Sequence, residues 1–479
     1  MEIYKKQTLS ETFSVYFDRR MVRILLLGII SGFPWVLIGS SLSLWLKEDG
    51  LSRSTIGWAG LIFGVYAINY LWAPIIDRIR IPWLTNKIGH RRGWIVTMQF
   101  IILVSLVCWS VVEPTTNLAL VITIGLIIAI ASATQDITVD ALRIEQIGEN
   151  EGTSMQAGAA MAVVGWWTGY KLGGVIALKS AEYFQQSGFE NYWQVTFLIL
   201  GIVIIACNIG LMFVHEEQPT ERQIAQRQTD QMIEEKLGSS GVFAKTTAWI
   251  SGAIAGPVIS FFKRNGFKIA LGILAFIFLF KIGEAFLGRM SIIFYKEMGF
   301  SKGDIALYSK GIGWITTVVF TLLGGLFAIR SGVVKAMFIS GILMAATNLL
   351  FAALAWSGKS EWLFAVAVLL DDIAAAFATV AFVAFISLLV DRTYTATQYA
   401  LLASIGTLGR TTLAASAGWM VDTLESGGIL NLKYKFINLG SIPIPSVENP
   451  WAVFFVITTV MVIPSLILLW FIRNKLRLR

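Results

Sequence analysis

Long apolar runs recur along the whole chain, and most of them are long enough to cross a lipid bilayer. A membrane-spanning helix needs about 20 predominantly apolar residues. Such runs lie near 22–46, 54–76, 93–112, 118–142, 153–178, 193–214, 268–294, 303–328, 334–356, 361–390, 396–422 and 450–472. The chain is 56% hydrophobic and 14% charged, whereas soluble domains average about 25% charged residues. The sequence therefore predicts an all-α integral membrane protein with twelve transmembrane helices.

Basic residues are concentrated around the start of the first run, between the second and third, and after the last. They are Lys5, Lys6, Arg19, Arg20, Arg23, Arg78, Arg80, Lys87, Arg91, Arg92, Arg473, Lys475, Arg477 and Arg479. The connection between the third and fourth runs, VVEPTTN, has no lysine or arginine. Because cytoplasmic loops carry an excess of these residues, both termini are expected in the cytoplasm.

A polar stretch divides the chain into two sets of six helices. It reads HEEQPTERQIAQRQTDQMIEEKLGSSG, and an amphipathic segment expected to lie on the membrane surface follows it. The sequence thus predicts a bundle at 1–214, a cytoplasmic linker at 215–267 and a second bundle at 268–479. WLKEDGLSRSTIGWAG (45–60) lines up with FYKEMGFSKGDIALYS (294–309). Such repeats are typical of transporters built from two related six-helix halves.

The connection after the second run has an Asp-Arg pair and a later Gly-His-Arg-Arg. In APIIDRIRIPWLTNKIGHRRGW these residues include Asp77, Arg78, Arg91 and Arg92. With the helix count, this loop resembles the cytoplasmic signature of the major facilitator superfamily. The resemblance implies ion pairs that act as a gate by latching one conformation.

Further pieces in the same order resemble the AmpG permease family. They are SLSLWL, YLWAPIIDR, RRGW, ATQDITVDA, GYKLGG, FKIGEAF, ATNLLF, TATQYALLA and a later AGW. The resemblance implies a secondary transporter in the bacterial inner membrane. It would import anhydromuropeptides, GlcNAc-1,6-anhydroMurNAc and its peptides, for peptidoglycan recycling, by proton symport and alternating access. Another bulky anion, such as a CoA thioester or a siderophore, is the alternative substrate.

Carboxylates inside the apolar runs are the candidates for proton coupling, because both histidines, His90 and His215, are expected in loops at the cytoplasmic face. A charged side chain within a membrane is costly, so such groups face a cavity or a partner. The candidates are Asp136, Glu284 and Asp371. Asp140 follows Asp136 by one helical turn, on the same face. With Arg143, Asp140 is assigned to the gate.

A muropeptide is large, rich in sugar and anionic. A site for it needs cations for carboxylates, amides for hydrogen bonds and aromatic planes for sugar faces. The predicted substrate-binding residues are Lys171, Lys281, Arg410, Gln135, Trp167 and Gln398. The cations are expected to face a central cavity, where the superfamily binds its substrates.

Several function classes are disfavoured by the sequence. It has no GxxxxGK[ST] phosphate loop and no cluster of histidine, cysteine and acid at metal-ligand spacing. We therefore expect no enzyme activity, no cofactor and no metal site. The net charge of +8 reflects membrane topology and not nucleic-acid binding. The expected partners are the anionic glycopeptide, protons and the lipid bilayer, and the chain is expected to be a monomer.

Overall fold

The computed structural model describes most of the chain, in seven stretches. These are residues 14–51, 59–148, 151–216, 256–300, 312–414, 416–425 and 449–476. The described residues are helical and form no β-strand, which confirms the predicted all-α class. They fall into two compact units. Unit 1 contains the described residues of Met1–Asn265 and Ile386–Ser404, and unit 2 those of Gly266–Phe385 and Ile405–Arg477. Residues 386–404, predicted to belong to the second bundle, thus group with unit 1.

The helices of unit 1 alternate long spans with short pieces. They are α1 (Arg19–Gly32), α2 (Pro34–Val36), α3 (Leu42–Glu48), α4 (Val65–Ile68), α5 (Ala73–Arg78), α6 (Leu84–Ile88), α7 (His90–Trp109), α8 (Pro114–Glu145), α9 (Gly152–Gln186) and α10 (Tyr192–Leu211). A π-helix at Leu37–Ser41 joins α2 to α3. Residues 256–265 are also helical, within the segment predicted to lie on the membrane surface. Residues 217–255 of the predicted linker lie outside the described residues.

The helices that follow Gly266 complete the fold. They are α11 (Phe267–Leu279), α12 (Ile282–Glu297), α13 (Ile312–Ser331), α14 (Val333–Ser357), α15 (Glu361–Leu389), α16 (Thr395–Ala414), α17 (Ala417–Glu425), α18 (Pro450–Val460) and α19 (Ile463–Ile472). The last turn of α15 and the first half of α16 belong to unit 1, and the remainder belongs to unit 2.

Nine stretches of the described residues are long and apolar enough to cross a membrane. They are Arg19–Leu46, His90–Trp109, Pro114–Glu145, Tyr192–Leu211, Phe267–Ser291, Trp314–Ser331, Val333–Ser357, Glu361–Leu389 and Pro450–Lys475. Three predicted spans are not among the nine: 54–76, 153–178 and 396–422. They overlap helices of the described residues that are too short or not apolar enough. Among them, α9 has 35 residues, long enough to span, but it is less apolar than the nine.

The predicted second span is not one regular helix. It contains a 3-10 helix at Gly60–Gly64, then α4, a second 3-10 turn at Asn69–Leu71, and α5. Pro74 stands at the start of α5, where its missing N–H costs no hydrogen bond. The local sequence therefore divides an apolar run that looks continuous by composition.

Close contact between α1 and α9 depends on glycines spaced four residues apart. The seam consists of Gly28 and Gly32 on α1 and Gly165, Gly169 and Gly173 on α9. A Cβ atom on Gly32 would collide with the backbone of Trp166, and one on Gly169 with the backbone of Ile29. Small residues at this spacing let helix backbones approach within a membrane. We call these five residues the glycine seam.

Each unit has its own aromatic core. In unit 1, the ring of Phe197 lies 4.9 Å from that of Trp45 and 5.0 Å from that of Trp109. In unit 2, Phe294 and Phe455 are 4.8 Å apart in an edge-to-face arrangement. Such geometry is the favoured one for aromatic pairs.

Candidate functional site

Asp136 lies within α8 and is bound from α1 and α2. One carboxylate oxygen accepts a hydrogen bond of 2.6 Å from the Ser31 hydroxyl, and the other accepts one of 3.5 Å from the Trp35 indole N–H. The neighbouring Gln135 is buried and donates to the carbonyl of Ile30 at 2.8 Å. Its side-chain oxygen is buried without a hydrogen-bond partner among the described residues. The two predicted residues therefore anchor α8 to the first span.

Aromatic rings gather beside Asp136. Trp35 lies 4.5 Å from Tyr66, 5.2 Å from Phe63 and 5.7 Å from Trp166, measured between ring centroids. Trp166 in turn stacks on Tyr170 at 5.5 Å with an interplanar angle of 19°. Together with Trp167, 5.1 Å from Trp166, these residues form what we call the Trp35 cluster: Trp35, Phe63, Tyr66, Trp166, Trp167 and Tyr170.

Lys171 follows the cluster on α9. Its ammonium lies 5.8 Å from the centre of the Trp167 ring, within the range of a cation–π interaction. Both side chains are half-buried. The structure thus brings two of the predicted substrate-binding residues together on unit 1.

Asp77 is the centre of a buried polar network. Its carboxylate lies 2.7 Å from the Arg91 guanidinium, the ion pair that the loop pattern predicts, and Arg91 also lies 2.9 Å from Glu145. The same carboxylate accepts hydrogen bonds from Ala396 N–H at 3.3 Å, from Thr397 N–H at 2.8 Å and from the Thr397 hydroxyl at 2.6 Å. These donors lie in the first turn of α16. A carboxylate there satisfies free N–H groups and complements the helix dipole.

Asp140 and Arg143, both predicted gate residues, form an ion pair as well. The guanidinium lies 3.0 Å from the carboxylate and donates to the Ser387 hydroxyl at 3.1 Å. At the end of α8, Arg392 donates to the carbonyl of Ile144 in the last turn and to that of Ile147 just beyond it, both at 2.6 Å. Arg392, Ser387, Glu145 and Thr397 were not among the predicted gate residues. The signal available for Arg392 is its place in the cytoplasmic connection predicted to precede span eleven.

Arg92 and Arg78 are the remaining arginines that were predicted to belong to the gate. The Arg92 guanidinium donates to the carbonyl of Val214 at 3.0 Å, just after α10. The side chain of Arg78 lies outside what the structure describes. The start of α7 is capped by Glu216, which accepts from the N–H groups of Arg91 at 2.8 Å and Arg92 at 3.0 Å. Burial raises the pKa of Glu216, and these N–H groups oppose the rise.

Gln398 makes contacts that hold the start of α16. Its buried amide accepts from Asp391 N–H at 2.7 Å and donates to the carbonyl of Pro257 at 2.8 Å. Burial raises the pKa of Asp391, but hydrogen bonds from Ser260 and Thr393 lower it by more. The pKa of this carboxyl therefore lies below its usual range. These contacts favour a structural role for Gln398. Its contact with substrate stays a prediction.

Unit 2 carries its own group of charges. Lys281 is 6% exposed, donates to the Thr379 hydroxyl at 2.7 Å and lies 3.2 Å from Glu284. Asp371 accepts from the Thr347 hydroxyl at 3.1 Å. Both Asp371 and Arg410 are close enough to interact electrostatically with Lys281.

Arg410 is the exposed member of this group, with a hydrogen bond of 3.2 Å to Thr407 on its own helix. The structure therefore brings four predicted residues of unit 2 together: Lys281, Glu284, Asp371 and Arg410. In the described parts of the chain, no three histidine, cysteine or acidic side chains come together as a metal site.

Comparisons with known proteins agree with this architecture. A family model described as Major Facilitator Superfamily matches residues 24–316. The chain is 30% identical over 461 residues to putative transporter AmpG 4 of Rickettsia conorii (strain ATCC VR-613 / Malish 7). That match covers 96% of this chain and 98% of the Rickettsia protein. It is 28% identical over 468 residues to the anhydromuropeptide permease of Escherichia coli (strain K12), which covers 98% of this chain and 82% of the permease.

The fold also matches solved structures. The proton:xylose symporter XylE superposes with a TM-score of 0.61 at 15% identity, covering 96% of this chain and 95% of the symporter. At that identity the match shows a shared fold and nothing about the substrate.

Proposed function

Because the chain belongs to the AmpG family of the major facilitator superfamily, we propose that it imports anhydromuropeptides across the bacterial inner membrane. The proposed substrates are GlcNAc-1,6-anhydroMurNAc and its peptides, released during peptidoglycan turnover. The observation that carries the proposal is similarity along 98% of the chain to a protein named anhydromuropeptide permease. The proposed carrier is a monomer that works by alternating access, with both termini in the cytoplasm.

The charges of the substrate suggest which residues bind it. Peptide carboxylates need cations, and Lys281, Arg410 and Lys171 are the candidates. Arg410 is exposed on α16, so its guanidinium can form two parallel hydrogen bonds with an incoming carboxylate. Lys281 is buried and already paired with the Glu284 carboxylate. Its positive charge therefore needs a carboxylate from the substrate only when Glu284 is protonated and neutral.

That relation suggests a route for proton coupling. If Glu284 or Asp371 takes up a proton, Lys281 loses a neighbouring negative charge and can pair with the substrate instead. Asp136 is the corresponding group of unit 1, held by Ser31 and Trp35. We assign the coupling role to these three carboxylates.

The gate is proposed to consist of the Asp77 network and the Asp140–Arg143 pair. Both sets contact residues 386–404 through hydrogen bonds. Each such bond has a charged partner and stabilises the protein by about 1.5–3 kcal/mol net, because water replaces the lost partner. Contacts of this strength suit a closure that must break in every transport cycle.

Uptake into proteoliposomes tests the proposal. The full chain would be reconstituted, an inwardly directed proton gradient imposed, and accumulation of labelled GlcNAc-1,6-anhydroMurNAc-tripeptide followed. We expect accumulation that a protonophore abolishes and that Lys179→Ala leaves unchanged, since Lys179 forms an exposed ion pair with Glu182. Saturable uptake of a CoA thioester or a siderophore, without uptake of the muropeptide, would overturn the proposal.

A further inference from the structure

The Trp35 cluster brings together rings from three separate stretches of unit 1. Trp35 belongs to α2, Tyr66 to α4, and Trp166 to α9. The glycine seam determines the approach of α1 and α9, because Gly32 lies against the backbone of Trp166 itself. The rings are therefore held in place by backbone packing that leaves little freedom.

The cluster also keeps part of its surface open. All six side chains are half-buried, and so is Asp136 beside them. Rings turned toward lipid would expose this carboxylate to hydrocarbon, where a charge is costly. The open side of the cluster next to Asp136 consequently faces water or a ligand.

Aromatic faces next to a few fixed polar groups are typical of small-molecule sites. A pyranose ring presents C–H groups on its faces and hydroxyls at its edge. The C–H groups pack on the electron-rich face of an aromatic ring. The hydroxyl edge suits a carboxylate such as Asp136 or an ammonium such as Lys171, which is 5.8 Å from the Trp167 ring.

We propose that the Trp35 cluster is the sugar subsite of the carrier, in which Trp35, Trp166 and Tyr170 receive the pyranose faces of the substrate. The proposal rests on the proposed function and deepens it, since it assigns the disaccharide to unit 1. Asp136 acts as a positioning residue, because its hydrogen bond from the indole N–H holds the Trp35 ring.

Binding of two ligands to purified full-length variants tests the subsite. The probes are the peptide-free disaccharide GlcNAc-1,6-anhydroMurNAc and the stem peptide without sugar, each measured by calorimetry. Trp166→Leu and Tyr170→Leu should each lower disaccharide affinity about tenfold, the effect of losing one aromatic contact. Trp166→Phe and Tyr170→Phe should stay within about threefold, because a ring remains. Affinity for the stem peptide should not change in any variant.

Trp362→Leu is the matched control, because this tryptophan of α15 is 73% exposed and outside the cluster. It should bind the disaccharide as the unchanged protein does. Equal disaccharide affinity in the leucine variants would overturn the subsite, and so would an equal loss of both ligands, which marks a structural cluster. If the unchanged protein binds neither probe but carries another anion, the proposed function itself is wrong, and the subsite with it.

Discussion

At the scale of single residues, the two roles proposed for Asp136, proton coupling and positioning of Trp35, can be separated by a neutral amide. Asparagine is nearly the same shape. Its one side-chain oxygen can accept from the Trp35 indole N–H, and its NH2 group can donate to the Ser31 hydroxyl, which can accept as well as donate. It cannot take up or release a proton. The positioning of Trp35 should therefore survive the change, and proton coupling should not.

We expect Asp136→Asn to abolish accumulation driven by a proton gradient while leaving exchange of internal for external substrate largely intact. Counterflow in proteoliposomes without a pH gradient measures the exchange, and uptake with the gradient measures the coupling. Asp140→Asn, which weakens the pair with Arg143, should impair both. Normal gradient-driven accumulation by Asp136→Asn would move the coupling role to Glu284 or Asp371.

Asp77 and Arg91 offer a test of the buried network. Their side chains are 2% and 0% exposed, and removing one partner of a buried pair costs about 3–5 kcal/mol because the other charge is left without compensation. Asp77→Ala should lower the free energy of unfolding by about 3 kcal/mol, since Glu145 still pairs with Arg91. Denaturant unfolding in detergent measures the change.

The control for this test is an ion pair on the surface of the same unit. Lys179 and Glu182 are 75% and 51% exposed, so Lys179→Ala should change the free energy of unfolding by less than about 0.5 kcal/mol. Similar losses for Asp77→Ala and Lys179→Ala would mean that the Asp77 pair is not shielded from water.

These residues also show how far the sequence leads. The Asp77–Arg91 pair could be predicted because both residues lie in one short charged connection. The role of Gln398 could not, because its partner is the carbonyl of Pro257, 141 positions away in the chain. A side chain in a motif can serve the ligand or the backbone, and only the fold distinguishes the two.

At the scale of elements, the glycine seam is the feature that a single substitution tests best. A Cβ on Gly169 would collide with the backbone of Ile29, whereas one on Gly174, in the same helix, would meet nothing within 4 Å. Gly169→Ala should destabilise the protein by about 1–3 kcal/mol through overpacking. Gly174→Ala should be neutral or stabilising by up to about 1 kcal/mol, because alanine favours helix.

Denaturant unfolding of the two glycine variants makes the comparison. Equal stability of both would show that α1 and α9 can separate without cost. The seam could be anticipated from the four-residue spacing of the glycines, but their partner helix could not. The second span could not be anticipated in this way. Its apolar length predicted one helix, whereas the structure has 3-10 turns at Gly60–Gly64 and Asn69–Leu71.

At the scale of the whole molecule, the distribution of basic residues predicts orientation. Ser441 and Ser239 lie outside the described residues, in stretches predicted to be loops on opposite sides of the membrane. In a protein whose native Cys108 and Cys207 are replaced, Ser441→Cys should react with an impermeant thiol reagent added to intact spheroplasts. Ser239→Cys should react only after lysis. The reverse pattern would invert the proposed topology.

The helical class followed from composition and run length, because apolar segments of about 20 residues have few other solutions in a membrane. The grouping of residues 386–404 with unit 1 did not follow from them. It depends on hydrogen bonds such as those from Arg392 to the end of α8, which join positions far apart in the chain.

The glycine seam also determines which defects a second mutation can repair. A methyl group on Gly32 or Gly165 meets backbone oxygen, which no exchange of side chain can remove. A methyl group on Gly173 meets the side chain of Phe33 at 2.7 Å and that of Val36 at 2.9 Å, and both can become smaller. Selection for restored uptake from Gly173→Ala should therefore yield suppressors at Phe33 or Val36. From Gly32→Ala it should yield only a return to glycine. Gly32 therefore has one genetic solution, whereas Gly173 in the same seam has several.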